Sequence, residues 1–153
     1  MRVNRLGTFH RRALYWVAGT LFVTGIFWAL LHYLPRQLGL DESSAMAGAA
    51  FTMKLHGAAA MLALVLIGTL VPGHISHGLE NNINKASGIG MLFLLGLLVV
   101  SGYFLYYAGS DEARQVNSLV HLAAGIALPA TIVVHVMNRL RLRYPAVTAG
   151  APK

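Results

Sequence analysis

The chain has 153 residues, of which 56% are hydrophobic and 11% charged, with a formal charge of +7 and no cysteine. Several apolar runs reach the roughly 18 to 20 residues needed to cross a bilayer, so the composition predicts an all-α membrane protein and leaves no room for a separate soluble domain. The basic residues gather at Arg2, Arg5, Arg11, Arg12 and at Arg139, Arg141, Arg143, beside the apolar runs, which marks topology and not nucleic-acid binding; the missing cysteine excludes disulfides, thiolate ligation, covalent attachment of a haem and cysteine-held iron–sulfur clusters.

In chain order, the basic arm MRVNRLGTFHRR leads into a first span over residues 13–34. The apolar stretch is too long for a signal-peptide core and lacks a small-residue cleavage site, so it reads as a retained helix. Tyr15, Trp16, Trp28 and Tyr33 fall toward its ends as interfacial aromatics do, and Pro35 is expected to close it. His32, beside Tyr33, reads as an interfacial residue. The loop 36–46 carries Asp41 and Glu42 and should be non-cytoplasmic. A second span covers residues 51–71, with His56 near its start and Pro72-Gly73 ending it or distorting its last turn. The polar stretch GHISHGLENNINK, with His74 and His77, reads as a short cytoplasmic connector. A third span covers 86–107 and has no charge or histidine; Gly88, Gly90, Gly96 and Gly102, with Ser87 and Ser101, suit close helix packing. The loop AGSDEARQ is acidic on balance. The fourth span, 116–140, returns the chain to the basic tail. These four spans predict a single-domain four-transmembrane-helix bundle over 1–153, with both termini cytoplasmic and sequential helices antiparallel.

The fourth span holds His121 and His135, 14 residues apart (135 − 121). At about 1.5 Å and 100° per residue they stand roughly 21 Å apart along the helix and only about 40° apart around it. An ionisable residue inside a lipid-spanning segment is costly, and neutral imidazole is a strong ligand for haem iron. The expected topology puts His56 at the level of His121, near the starts of two helices running the same way. His135 lies toward the cytoplasmic end, where His74, His77 and His10 are available. A regular helix continued past Pro72 would place His74, 18 residues after His56 (74 − 56), on the same face. Gly57 and Gly125 leave room for a flat macrocycle beside the ligands, and Pro129 should kink the fourth helix. Lys54, Arg114 and Arg139 could pair with propionates but are better explained by interfacial snorkelling.

With RALYWVAGTLFVTG in the first span, KLHG in the second, SGYFLYY in the third and HLAAGIALPATIVVH in the fourth, the sequence resembles the prokaryotic di-haem b-type cytochromes, the group of the formate dehydrogenase gamma and nickel-iron hydrogenase cytochrome b subunits. The resemblance implies bis-histidine ligation of two haem b groups. His56 and His121 would hold the iron of the outer haem, and His135 that of the inner haem. Where the family has R-x-x-H-W in its first helix this chain reads Arg12-Ala13-Leu14-Tyr15-Trp16, so the partner of His135 shifts to His74, with His77 and His10 as alternatives. Also implied are electron transfer between a quinone pool and a redox partner, other subunits of a membrane redox complex, and a multi-pass location in the bacterial cytoplasmic (inner) membrane. No nucleophile motif, carboxylate pair or phosphate loop suggests bond-making catalysis in this chain. Two other classes fit the same residues: a haem-free structural anchor or assembly subunit, and a histidine-lined metal-ion transporter.

Overall fold

The computed structural model describes residues 7–39 and 41–143, and every regular element among them is helical. Arg2, Arg5 and the tail beyond Arg143 lie outside the described residues. The elements are α1 (Thr8–Leu38), α2 (Glu42–Leu70), a π-helical turn (Val71–Ile75), α3 (Ser76–Glu80), α4 (Lys85–Tyr107) and α5 (Asp111–Arg143). Four helical stretches, Thr8–Pro35, Ser43–Glu80, Lys85–Tyr107 and Asp111–Leu140, are long and apolar enough to cross a membrane. Helix is the form such sequence must take in lipid, where each backbone N–H and C=O has to be satisfied within its own segment. The chain divides into two compact units, Met1–His77 and Gly78–Lys153. The first is built on the packing of α1 with α2, the second on that of α4 with α5.

The boundaries differ from the sequence expectation, and capping explains how. Pro35 does not close α1. The helix runs on to Leu38 and ends where Gly39 turns into the left-handed region (φ 64°), its N–H returning to the Pro35 carbonyl. Helix α2 begins at Glu42, nine residues before the expected 51 (51 − 42), because Asp41 caps it. The Asp41 carboxylate accepts from the Ser43 N–H at 3.2 Å, the Ser44 N–H at 3.2 Å and the Ser43 hydroxyl at 2.9 Å. Helix α5 likewise starts at Asp111, ahead of the expected 116: Ser110 Oγ accepts the Ala113 N–H at 3.2 Å, and Asp111 and Glu112 lie at the positive end of the helix dipole. Pro129 is carried inside α5 without ending it.

The stretch after Pro72 is a correction of kind. Most of the expected connector, residues 73–80, is helical, continuing from Val71 to Glu80. Pro72 has no N–H to give the Gly68 carbonyl. The Val71 N–H takes that acceptor instead, one residue short of the α pattern, and the ladder then widens until the Ser76 N–H reaches the Val71 carbonyl five residues back. The turn 81–84 follows, with Asn82 and Asn84 at φ 53° and 54° and the Ile83 N–H bonded to the Gly78 carbonyl at 3.1 Å.

Among the described residues the buried side chains are small or slender: Val17, Thr24, Pro35, Ala49 and Thr52 in the first unit, Ser101 and Ala124 in the second. Large apolar side chains such as Phe22, Phe27, Leu62, Phe93, Val100 and Val133 are exposed. Apolar surface on this scale is what lipid or a partner helix covers. Helices approach closely where one side offers a small residue. Gly48 lets Leu31 Cδ1 come within 3.2 Å of where a Cβ would stand, and Gly125 does the same for Leu98 Cδ2 at 3.9 Å.

Candidate functional site

A hydroxyl in an apolar helix has one proton and finds its nearest acceptor on the preceding turn. Thr20 donates to the Trp16 carbonyl at 2.9 Å, Thr52 to Gly48 at 2.8 Å, Thr69 to Leu66 at 2.7 Å and Thr131 to Leu128 at 2.8 Å. Three further hydroxyls follow the same habit, and each has an imidazole against its oxygen.

In the first unit, Thr24 Oγ1 lies 2.7 Å from the Thr20 carbonyl and 2.9 Å from His56 Nδ1 across the α1–α2 contact. In the second, Ser101 Oγ lies 2.6 Å from the Leu97 carbonyl and 2.9 Å from His121 Nδ1 across the α4–α5 contact. Near the other end of the same hairpin, Ser87 Oγ lies 2.6 Å from Asn84 Oδ1 and 3.0 Å from His135 Nδ1. In all three the hydroxyl oxygen joins the neighbouring imidazole through Nδ1 while also contacting an acceptor on its own helix or turn. At His135 the Asn84 side-chain NH2 stands 3.3 Å from Nδ1 and donates at 2.8 Å to the His135 carbonyl.

Each hydroxyl residue is followed by glycine, and each glycine faces the carbon between the two ring nitrogens. A Cβ at Gly25 would stand 3.5 Å from His56 Cε1, one at Gly102 3.3 Å from His121 Cε1, and one at Gly88 3.8 Å from His135 Cε1. The motif is therefore a Ser/Thr-Gly pair on one helix holding an imidazole from its neighbour. Ser87 and Ser101 are 14 residues apart (101 − 87), as are His121 and His135, so two seats fit one antiparallel pair of helices in one register. Fourteen residues is two heptads, the interval at which residues return to a seam between helices. Asn117 Nδ2 adds a 2.6 Å bond to the Ser101 carbonyl beside the first seat.

The remaining expected site residues fall as follows. His74 is half-buried in the π turn, so the regular continuation that set it on the face of His56 does not hold. His77 is exposed in α3. His10 is half-buried in the first turns of α1, with its ring edge-on to Phe9. His32 is exposed and stacks on Trp28 with ring centroids 4.7 Å apart. Arg114 bonds the Ala108 carbonyl at 3.2 Å and reaches Asp111 at 4.0 Å, which accounts for it locally as part of a helix start. Gly57 has nothing within 4 Å of its Cβ position, whereas Gly125 abuts Leu98. The expected pairs, His56 with His121 and His74 with His135, each take one residue from each unit. Among the described residues, no three of His, Cys, Asp and Glu gather as a metal-ion site would require.

Sequence reasoning missed the hydroxyl seats. It assigned α4 a packing role only, yet α4 supplies Ser87 and Ser101. The signal was present as three Ser/Thr-Gly pairs and as a 14-residue interval repeated in two neighbouring helices. No protein-family model matches the chain, and neither a curated protein nor a solved structure shows significant similarity to it.

Proposed function

We propose that the chain is a membrane electron-transfer subunit that binds two haem b groups through bis-histidine ligation and passes electrons between a quinone pool and a redox partner of a larger complex. The observation that supports this reading is the placement of the imidazoles. Three stand in helices apolar enough to span a membrane, each joined through Nδ1 to a hydroxyl on the neighbouring helix. Ligating histidines are oriented by such an outer hydrogen bond. The donor set therefore fits iron porphyrin. His56 and His121 would serve one haem. His135 would serve the other, with His74 as its partner and His77 or His10 as alternatives. Bound haem supplies one-electron redox chemistry between two accessible iron states. The chain's own residues orient the rings, exclude water with apolar helix faces and set the strength of the Nδ1 bonds. In this reading the two hairpins form a four-span bundle with both termini cytoplasmic, in the bacterial inner membrane, in contact with lipid and partner subunits.

A reduced-minus-oxidised absorption spectrum of the purified full-length protein, with a pyridine haemochrome measurement of haem per chain, tests it. Two haems per chain are expected. A colourless protein from haem-replete cells, with its helices intact, refutes it. One observation favours a second reading. The same imidazole–hydroxyl bonds tie α1 to α2 and α4 to α5, which is what a haem-free structural anchor would use them for. Colourless protein would leave that alternative and the histidine-lined metal-ion transporter.

A further inference from the structure

We propose that one end of the α4–α5 hairpin is a binding surface for anionic phospholipid, with Lys85 and Arg139 holding the headgroup phosphate and the apolar side chains beside them lying against the acyl chains. The inference rests on the membrane placement in the reading above and not on haem.

The two contacts that align this hairpin also fix the depth of its charges. Ser87 meets His135 and Ser101 meets His121, so each step along α4 matches a step back along α5. Lys85, two residues before Ser87, is therefore level with Met137, and Arg139 lies two residues, about 3 Å, further out. No Lys, Arg, Asp or Glu occurs from Ala86 to Tyr107 or from Gln115 to Asn138. The first of these stretches is about 33 Å of helix, close to the roughly 30 Å of bilayer hydrocarbon. The two cations thus stand just past one hydrocarbon boundary, at the depth of lipid phosphate. The sequence adds Arg141 and Arg143 directly after Arg139, while Glu80 is the one acidic residue between Glu42 and Asp111. The other end of the hairpin has the opposite character: Asp111 and Glu112 stand there, and Arg114 is engaged by the Ala108 carbonyl and by Asp111.

Lys85 is exposed, and its ammonium uses one of three N–H donors on Asn82 Oδ1 at 3.1 Å, which leaves two for phosphate oxygens. Ile83, Met137 and Leu140, the neighbours of these cations in the chain, are exposed as well. Exposed apolar side chains interleaved with cations match a lipid, which offers phosphate and hydrocarbon together, and not a free phosphate ion. An anionic lipid is favoured over phosphatidylcholine because no headgroup cation offsets its phosphate.

The test is electron spin resonance of the full-length protein in phosphatidylcholine vesicles that carry a trace of spin-labelled phosphatidylglycerol or spin-labelled phosphatidylcholine, where lipid held at the protein surface is motionally restricted. The wild type should restrict more phosphatidylglycerol than phosphatidylcholine, and the excess should shrink as sodium chloride is raised. Lys85→Gln and Arg139→Gln should each lower phosphatidylglycerol association at this surface by up to about fivefold, and Lys85→Arg should preserve it. Arg114→Gln removes the same charge from the acidic end and should leave the preference unchanged. Should Arg139→Gln fail to fold, Lys85→Gln decides, because that side chain bonds only within the turn. Equal restriction of the two lipids by the wild type, or an equal fall in Arg114→Gln and Lys85→Gln, overturns the inference. So does displacement of the lipid by sodium phosphate beyond that caused by sodium chloride of the same ionic strength, which would make free phosphate the ligand. Failure of the membrane placement looks different: protein stripped from the vesicles by alkaline carbonate would refute that placement and this surface with it, whereas a colourless protein that still prefers phosphatidylglycerol leaves the surface standing and removes only haem.

Discussion

Replacing Gly102 by alanine sets two opposing effects against each other on one helix. In a helix interior, Gly→Ala relieves backbone entropy and stabilises by about 0.5–1 kcal/mol. At Gly102 the new methyl would stand 3.3 Å from His121 Cε1, inside the roughly 3.5–4.0 Å at which carbon atoms attract best. The ring must yield by a few tenths of an ångström, and doing so stretches its 2.9 Å bond to Ser101, whose net contribution is about 1 kcal/mol. Gain and loss should nearly cancel. At Gly96 and Gly90 nothing lies within 4 Å of the Cβ position, so Ala there should keep the full gain. Equilibrium unfolding in mild detergent, followed by helical circular dichroism, should therefore rank Gly96→Ala above Gly102→Ala by about 1 kcal/mol, and Gly102→Val below both by about 1–3 kcal/mol. Equal stabilisation by Ala at 96 and 102 would show that the imidazole does not rest on Gly102, and the seat as described would be wrong.

Asn84→Ala removes the bond to the His135 backbone, takes the acceptor from Ser87 and places a Cβ residue less suited than Asn at φ 54°; we expect about 2–3 kcal/mol of destabilisation, and less for Asn84→Gly, by the same unfolding assay. Hydrogen bonds from Ser44 and Ser43 lower the Asp41 carboxyl from 3.8 to about 2. Because the folded value is the depressed one, the cap's contribution is complete above pH 3.8 and is lost as pH falls through about 2. Amide exchange at Ser43 and Ser44 should quicken over that interval, and the acceleration should be absent in Asp41→Asn. Under the proposed haem reading, His135→Ala and His74→Ala should each lose the same haem, about half the pigment by haemochrome. Full haem in His74→Ala would move the ligand to His10 or His77.

The helices were legible in the sequence because a lipid-spanning segment states itself through length and apolarity alone. Their ends were less so, since termini depend on single capping residues: Asp41 and Ser110 extended two helices into stretches that composition alone assigned to loops. Pro72 was rightly expected to distort α2, but how the ladder recovers, by handing the Gly68 carbonyl to Val71 and widening to a π turn, depends on which neighbouring N–H is in reach. His56, His121 and His135 stood out individually because ionisable residues are rare in apolar runs. Their partners did not, because serine, threonine and glycine in such helices also serve ordinary packing and self-bonding, and only a register between two helices shows which of them meets a ring.

The hairpin of α4 and α5 has the mechanical character of a key with two teeth. Its seats lie four turns apart and share one alignment, so sliding either helix past the other by a single turn disengages both at once. Lengthening α5 by one turn between His121 and His135 would leave at most one tooth engaged. The short link at 108–110 thus controls both rings together, and the distance between the two depths at which this hairpin presents imidazole is set by helix geometry and not by loop conformation.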